Sequence, residues 1–174
     1  MPRTLDSQAD SGMIVMTSRL ASQNGRGDDC IAVRLISLLE GEYIREAVLR
    51  STSTEWKSQT NVDMFHVGGC YHGNLVTCAS FVQEHSEAHG PLRLWRLRAM
   101  ATLQESRGKG VGGKVLEFGI GEVSRRGGIL VWCEGRVGAI RFYEEFLFHA
   151  IGPTYENTGT GAHRILVRPV TDGV

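Results

Sequence analysis

The sequence predicts an α/β domain with a mixed sheet and one core. Three observations predict it. Runs of two-residue hydrophobic period alternate along the chain with runs of helical period. Between residues 92 and 133 a strand, a glycine-rich turn, an amphipathic helix and a short apolar strand follow one another, which makes a βαβ unit. Two strand-like runs then close the chain as an antiparallel pair. The size agrees, since 174 residues at 41% hydrophobic and 22% charged suit one domain with its own core.

Residues 1–30 are rich in Ser, Gln, Asp, Asn and Gly and read as a peripheral, poorly ordered extension, leaving 31–174 as the domain proper. Ile31–Ile36 reads as a first strand, and Leu38–Arg50 as a helix whose apolar stripe runs through Leu39, Tyr43 and Ala47. Met64–Tyr71 and Leu75–Val82 form a hairpin around Gly73-Asn74, a pair suited to a tight turn. Residues 84–90 read as a loop. Leu92–Leu103 is the longest strand, with Trp95, Leu97, Ala99, Ala101 and Leu103 on one face. Leu94, Arg96, Arg98, Met100 and Thr102 occupy the other. Val111–Arg126 is an amphipathic helix, ended by Arg125-Arg126 at the negative pole of its dipole and by Gly127-Gly128. Ile129–Cys133 has the unbroken apolar character of a buried parallel strand. A helix over Val137–Phe148 carries Ala139, Phe142, Tyr143, Phe146 and Leu147 on one face. Residues 149–156 and 163–170 are the closing pair.

Charge excludes several function classes. Nineteen basic and nineteen acidic side chains cancel, whereas a general nucleic-acid binder needs a net basic surface. No apolar run approaches the ~20 residues that cross a bilayer, so no membrane partner is expected. Cys30, Cys70, Cys78 and Cys133 form no CxxC pair, which points to reduced thiols and a cytoplasmic protein. His66, Cys70 and His72 alternate onto one strand face without a fourth ligand, so no metal is expected. The apolar surroundings of Cys133 keep its thiol protonated and inert. The zero total nevertheless hides an asymmetry. Residues 1–90 are net −4, residues 91–114 net +5 and residues 115–174 net −1. A short basic stretch in a neutral chain points to an anionic ligand.

That stretch contains Arg107-Gly108-Lys109-Gly110-Val111-Gly112-Gly113-Lys114, between a strand and a helix. Free amides at a helix start favour a phosphate, and glycines let the main chain approach its oxygens. A turn that merely starts a helix is the plain alternative. A dinucleotide fingerprint is also present as Gly108-x-Gly110-x-x-Gly113, with Glu134 for a ribose. Against it, four polar residues separate strand from glycine, and only 40 residues follow Glu134. A phosphate loop of the Gly-x4-Gly-Lys type fails at Val115, which has no hydroxyl for Mg²⁺.

A third pattern, [Gln/Arg]-x-x-Gly-x-[Gly/Ala], uses Arg107 to Gly112. It follows Met100-Ala101-Thr102 and is followed by Trp132-Cys133-Glu134-Gly135-Arg136 and Ala139-x-x-Phe142-Tyr143-Glu144. In this order the three motifs resemble the GNAT superfamily of N-acetyltransferases, over about residues 30–170. The resemblance implies a mostly antiparallel sheet with one splayed parallel strand pair, flanked by helices. It also implies acetyl-CoA as co-substrate and a primary amine of a small molecule or peptide as acceptor. By resemblance, Arg107, Gly108, Lys109, Gly110, Val111, Gly112 and Gly113 hold the pyrophosphate, with Arg136 and Tyr143 also at the cofactor. The main chain of Met100, Ala101 and Thr102 pairs with the pantetheine arm, and the Met100 amide faces the oxyanion. Transfer is direct, Tyr143 protonates the CoA thiolate, and homodimers are common among members.

The chain also departs from the family. Phe146-Leu147-Phe148 replaces Leu-Gly-Phe, so the glycine that ends the helix is missing. Glu134-Gly135-Arg136 replaces Asn-Ala-Arg, and no glutamate stands near Leu97. Glu134, His149 and His163 are the candidate bases, Glu134 foremost, with a plain structural role as the alternative for each. A GNAT-fold module that binds acyl-CoA without turnover is the competing reading. The acidic balance of residues 1–90 points to a cationic acceptor.

Overall fold

The computed structural model describes residues 30–49, 63–86 and 90–170. The N-terminal extension, the 50–62 region and the loop tip at 87–89 lie outside the described residues. Seven strands form one sheet in the order β1-β2-β3-β4-β5-β7-β6. They are β1 (Ile31–Ile36), β2 (Met64–Tyr71), β3 (Asn74–Ser86), β4 (Gly90–Thr102), β5 (Leu130–Arg136), β6 (His149–Asn157) and β7 (Gly161–Pro169). All neighbouring pairs are antiparallel except β4 and β5. The mixed sheet expected from the sequence is therefore present.

Apolar side chains gather on both faces of this sheet, so there are two clusters where one core was expected. On one face α2 (Val111–Arg125) packs Val115, Leu116, Ile120 and Val123 against Phe65, Val67, Phe81, Trp95, Leu97 and Val131. On the other face α1 (Glu42–Leu49) packs Ile44 and Val48 against Ile36, Cys78 and Ala101. The helix expected from Leu38 begins only at Glu42. Residues 38–41 form a turn, opened by a reciprocal bond pair in which Ser37 N–H donates to Glu40 and Glu40 N–H to Ser37 Oγ. This late start rotates the helix, so Leu39, at 74% exposure, and Tyr43 face outward while Ile44 and Arg45 are buried.

The hairpin turns at His72-Gly73, one residue earlier than expected. Both have positive φ, 47° and 81°, as a two-residue hairpin turn of this hand requires. The β1–β2 register is unbroken from Ile31↔Tyr71 to Ile36↔His66, so His66 and Cys70 keep one face of β2 as expected, while His72 falls in the turn. Among the described residues, no three His, Cys, Asp or Glu side chains gather as a metal site. No described helix is long and apolar enough to cross a membrane.

Helix α2 ends as its sequence predicts. Gly127 takes φ 73°, its N–H donates to Ser124 C=O, and the Gly128 N–H reaches back to Val123 C=O. The segment expected as one helix over 137–148 is instead a 3₁₀ turn, Val137–Ala139, followed by the single turn α3 (Ile140–Glu144). Its end repeats the α2 pattern without glycine: Phe148 N–H donates to Tyr143 C=O and Leu147 N–H to Glu144 C=O. Leu147 therefore occupies the left-handed position at φ 61° and is 65% exposed, off the apolar face assigned to it. A side chain there costs about 1–2 kcal/mol.

Two substitutions test this packing. Leu147→Gly removes the strain and is expected to add about 1 kcal/mol, raising Tm by roughly 2–4 °C. At Gly119 on α2, an added Cβ would stand 2.1 Å from Cε2 of Phe81, which is fully buried and stacked on Phe65. Gly119→Ala is expected to cost about 2 kcal/mol net of its helix preference, a fall of roughly 4–8 °C in Tm.

Candidate active site

The central feature lies in β4. Ala99 has φ 49°, and the β3–β4 register slips there, from Ser80↔Arg98 to Cys78↔Ala101. This bulge exchanges the faces of the strand. Trp95 and Leu97 face α2, but after the bulge Met100 faces α2 and Ala101 faces α1. The uninterrupted alternation expected from Trp95 to Leu103 is corrected accordingly, because the extra residue shifts every later side chain. Cys78 Sγ lies 3.9 Å from Ala99 C=O, and Thr77 Oγ1 donates to Thr102 Oγ1 at 3.1 Å, tying the bulged strand to β3.

On its other side β4 separates from β5. The parallel register comprises Leu94↔Leu130, Trp95↔Val131 and Arg96↔Trp132, although β4 continues to Thr102 and β5 to Arg136. Beyond Arg96 the two strands diverge, as a splayed parallel pair requires. Tyr143 of α3 lies at this opening. Its hydroxyl is 3.9 Å from Met100 Sδ on β4, and its ring would stand 3.5 Å from a Cβ at Gly135 on β5. Burial, with Cys133 nearby, pushes the Tyr143 phenol well above the usual tyrosine range, so it stays protonated. Burial likewise raises the Cys133 thiol to about 12, which leaves it a poor nucleophile.

The glycine-rich loop follows β4 after a 3₁₀ turn, Gln104–Ser106. Gly108 and Gly110 have φ 74° and 77°, where L side chains are strained, and Gly110 precedes the first turn of α2 without any side-chain cap. The first intrahelical N–H to return is Lys114 to Gly110 C=O, so the amides of Val111, Gly112 and Gly113 remain available by helix geometry. Gly112 would place a Cβ 3.5 Å from Thr102 Oγ1 and 3.7 Å from Met100 Cε, next to the opening. Gly113 is needed for packing, since a Cβ there would meet Phe146 Cζ at 2.3 Å. Arg107 Nε donates to Thr102 C=O at 3.3 Å, and Lys109 Nζ lies 4.5 Å from the Tyr71 ring. Loop, β4 end and α2 start thus form one continuous surface with Tyr143.

The remaining candidates are scattered. Glu134 is on the opposite face of β5 from Gly135 and Tyr143. It is paired with Arg96, whose guanidinium lies 4.4 Å from the Trp132 ring, and it neighbours the Tyr155 hydroxyl. Arg136, at the end of β5, is exposed and in register with His163. His163 is buried with Nδ1 2.7 Å from Gly161 C=O, whereas His149 is exposed at the start of β6. The Arg96–Glu134 pair was not anticipated: Glu134 was read as a candidate base and Arg96 only as a strand-face residue. It joins strands 38 residues apart, and no local pattern signals it.

Residues 33–148 match the family model for the acetyltransferase (GNAT) family. The chain belongs to the GNAT family of acetyltransferases. It is 25% identical over 142 residues to an uncharacterized N-acetyltransferase of Bacillus subtilis, YitI, covering 79% of this chain and 95% of that one. Among solved structures, it is similar to the ribosomal-protein-S18-alanine N-acetyltransferase of Escherichia coli, with TM-score 0.62 and 19% identity over 83% of this chain and 97% of that one. An aminoglycoside 6'-N-acetyltransferase complexed with coenzyme A gives TM-score 0.64 and 11% identity over 82% and 99%. At these identities the two structures establish that the GNAT fold is shared. The splayed β4–β5 pair in a mixed, helix-flanked seven-stranded sheet is that fold.

Proposed function

We propose that this protein transfers the acetyl group of acetyl-CoA to a primary amine of a small molecule or peptide, by direct attack in a ternary complex. The observation that carries the reading is the strand edge left open. Beyond Arg96, β4 has no β5 partner, and this edge leads through a 3₁₀ turn and the glycine loop to an uncapped helix start with basic neighbours. A pantetheine arm can complete the ladder of Met100, Ala101 and Thr102 while the pyrophosphate rests on the amides of the 107–113 loop. The reducing cytoplasm suits the four unpaired thiols.

The chemistry then divides between the two faces of the sheet. The neutral amine nitrogen bonds to the acetyl carbon, the C–S bond breaks, and the sulfur leaves with a proton. Tyr143, protonated and adjacent to Met100, is assigned to give that proton. Glu134 on the other face is assigned to take the proton from the incoming amine, by exchange of its Arg96 pairing. That same pairing favours the second reading, a module that binds acyl-CoA without turnover, because it occupies the carboxylate.

Two measurements test these readings, the first the shared CoA site and the second what separates them. Gly110→Ala is expected to weaken CoA binding about tenfold in calorimetry, since about 1–2 kcal/mol of backbone strain falls on the loop. Tyr143→Phe is expected to lower kcat roughly 10²-fold with little change in the KM for acetyl-CoA. CoA binding without thiol release for any added amine would establish the binding module instead.

A further inference from the structure

Three arginines lie on the sheet face that α1 covers, and only one of them is paired with a carboxylate. Arg96 is paired with Glu134. Arg98, two residues further along β4, is half-buried and has no hydrogen bond or ion pair among the described residues. Glu84 and Glu134 act on it only through space, while burial and Arg96 disfavour its charge. Arg45 descends from α1 and is 5% exposed. Its Nη2 donates to Leu38 C=O, but Nε and Nη1 are buried without a partner. An unpaired buried guanidinium is costly, typically several kcal/mol, unless an anion arrives.

The strand register relates the two unpaired cations. His66, Ser80 and Arg98 are in register across β2, β3 and β4, with His66 Nδ1 2.8 Å from Ser80 Oγ. At about 4.8 Å per strand, Arg98 is roughly 10 Å from His66, within reach of a long side chain. Arg45 lies against Cys78 and acts on His66, whose pKa is lowered to about 4 by burial and then by Arg45 itself. The imidazole is therefore neutral and supplies no charge. All of this adjoins the Ala99 bulge, where β4 leaves β5 and the acetyl group is to be presented.

We infer that Arg45 and Arg98 form a carboxylate-binding subsite, and that the acceptor is a small amine that also carries a carboxylate, of the amino-acid class. This rests on the acetyl-transfer reading and sharpens it. The planar guanidinium fork matches a carboxylate. The acidic balance of residues 1–90 pointed to a cationic acceptor, but the charge beside the opening has the opposite sign. The acceptor is then held by its carboxylate while its neutral nitrogen bonds to the acetyl carbon and CoA sulfur departs protonated.

The test uses the full chain, acetyl-CoA and a thiol-release assay with the twenty proteinogenic L-amino acids, each beside its α-carboxamide and its decarboxylated amine. At least one acid is expected to exceed both neutral counterparts in kcat/KM by about tenfold to a hundredfold. Arg98→Gln is expected to erase that preference by raising KM for the acid, leaving the KM for acetyl-CoA and kcat with the carboxamide unchanged. Arg45→Met is expected to act likewise; should it not fold, Arg98→Gln decides alone. Turnover in which neutral amines serve as well as acids, or an unchanged preference in Arg98→Gln, overturns the subsite while leaving acetyl transfer intact. Absence of thiol release with every amine overturns both.

Discussion

The left-handed backbone at Ala99 is the constraint on which the rest of the site depends. A residue with a Cβ adopts φ 49° only where its surroundings impose it, at a cost of about 1–3 kcal/mol. Here the surroundings are the ladder to β3, the Cys78 thiol at the Ala99 carbonyl and the paired Thr77 and Thr102 hydroxyls. The bulge does two things at once. It turns Met100 towards α2 and α3, and it lies where β4 diverges from β5. Without it, β4 would continue its alternation and Met100 would stand on the α1 face.

The helices are built around that opening. α2 begins where β4 and its loop end, with two glycines in left-handed conformations and no side chain closing its first turn. Gly113 and Gly119 let α2 lie close to Phe146 and Phe81, so the amides at its start are held by the packing of its whole length. α3 is short, yet it delivers Tyr143 between Met100 and Gly135. It is fixed from behind by Phe148, fully buried and 5.5 Å from the Tyr143 ring. The strain at Leu147 is offset by burial of the neighbouring aromatic residues.

Much of this was legible in the sequence, and the reasons differ by element. α2 was readable almost to the residue because its apolar period, basic last turn and Gly127-Gly128 stop all agree. The β-strands were readable from alternation, and the splayed pair only through the resemblance carried by three ordered motifs. The start of α1 was misplaced because Leu38 and Leu39 look helical, although Ser37-x-x-Glu40 marks a separate turn. α3 was overextended because its aromatic spacing continues past the point where Leu147 changes backbone region. The bulge was illegible: Ala99 is neither glycine nor asparagine, and its φ is imposed by β3. The pairing of Arg96 with Glu134 and the isolation of Arg45 and Arg98 likewise depend on the register of strands far apart in the chain.

The claim that most needs testing is that the gap between β4 and β5 is filled by the pantetheine arm as an added strand. Amide hydrogen exchange, followed residue by residue with saturating CoA and separately with adenosine 3',5'-bisphosphate, tests it directly. The account predicts that CoA slows exchange at amides within 97–102 of β4 and in the 107–113 loop. The nucleotide without the arm should protect the loop at most. Slowing confined to the loop with both ligands, or no slowing with either, would contradict it.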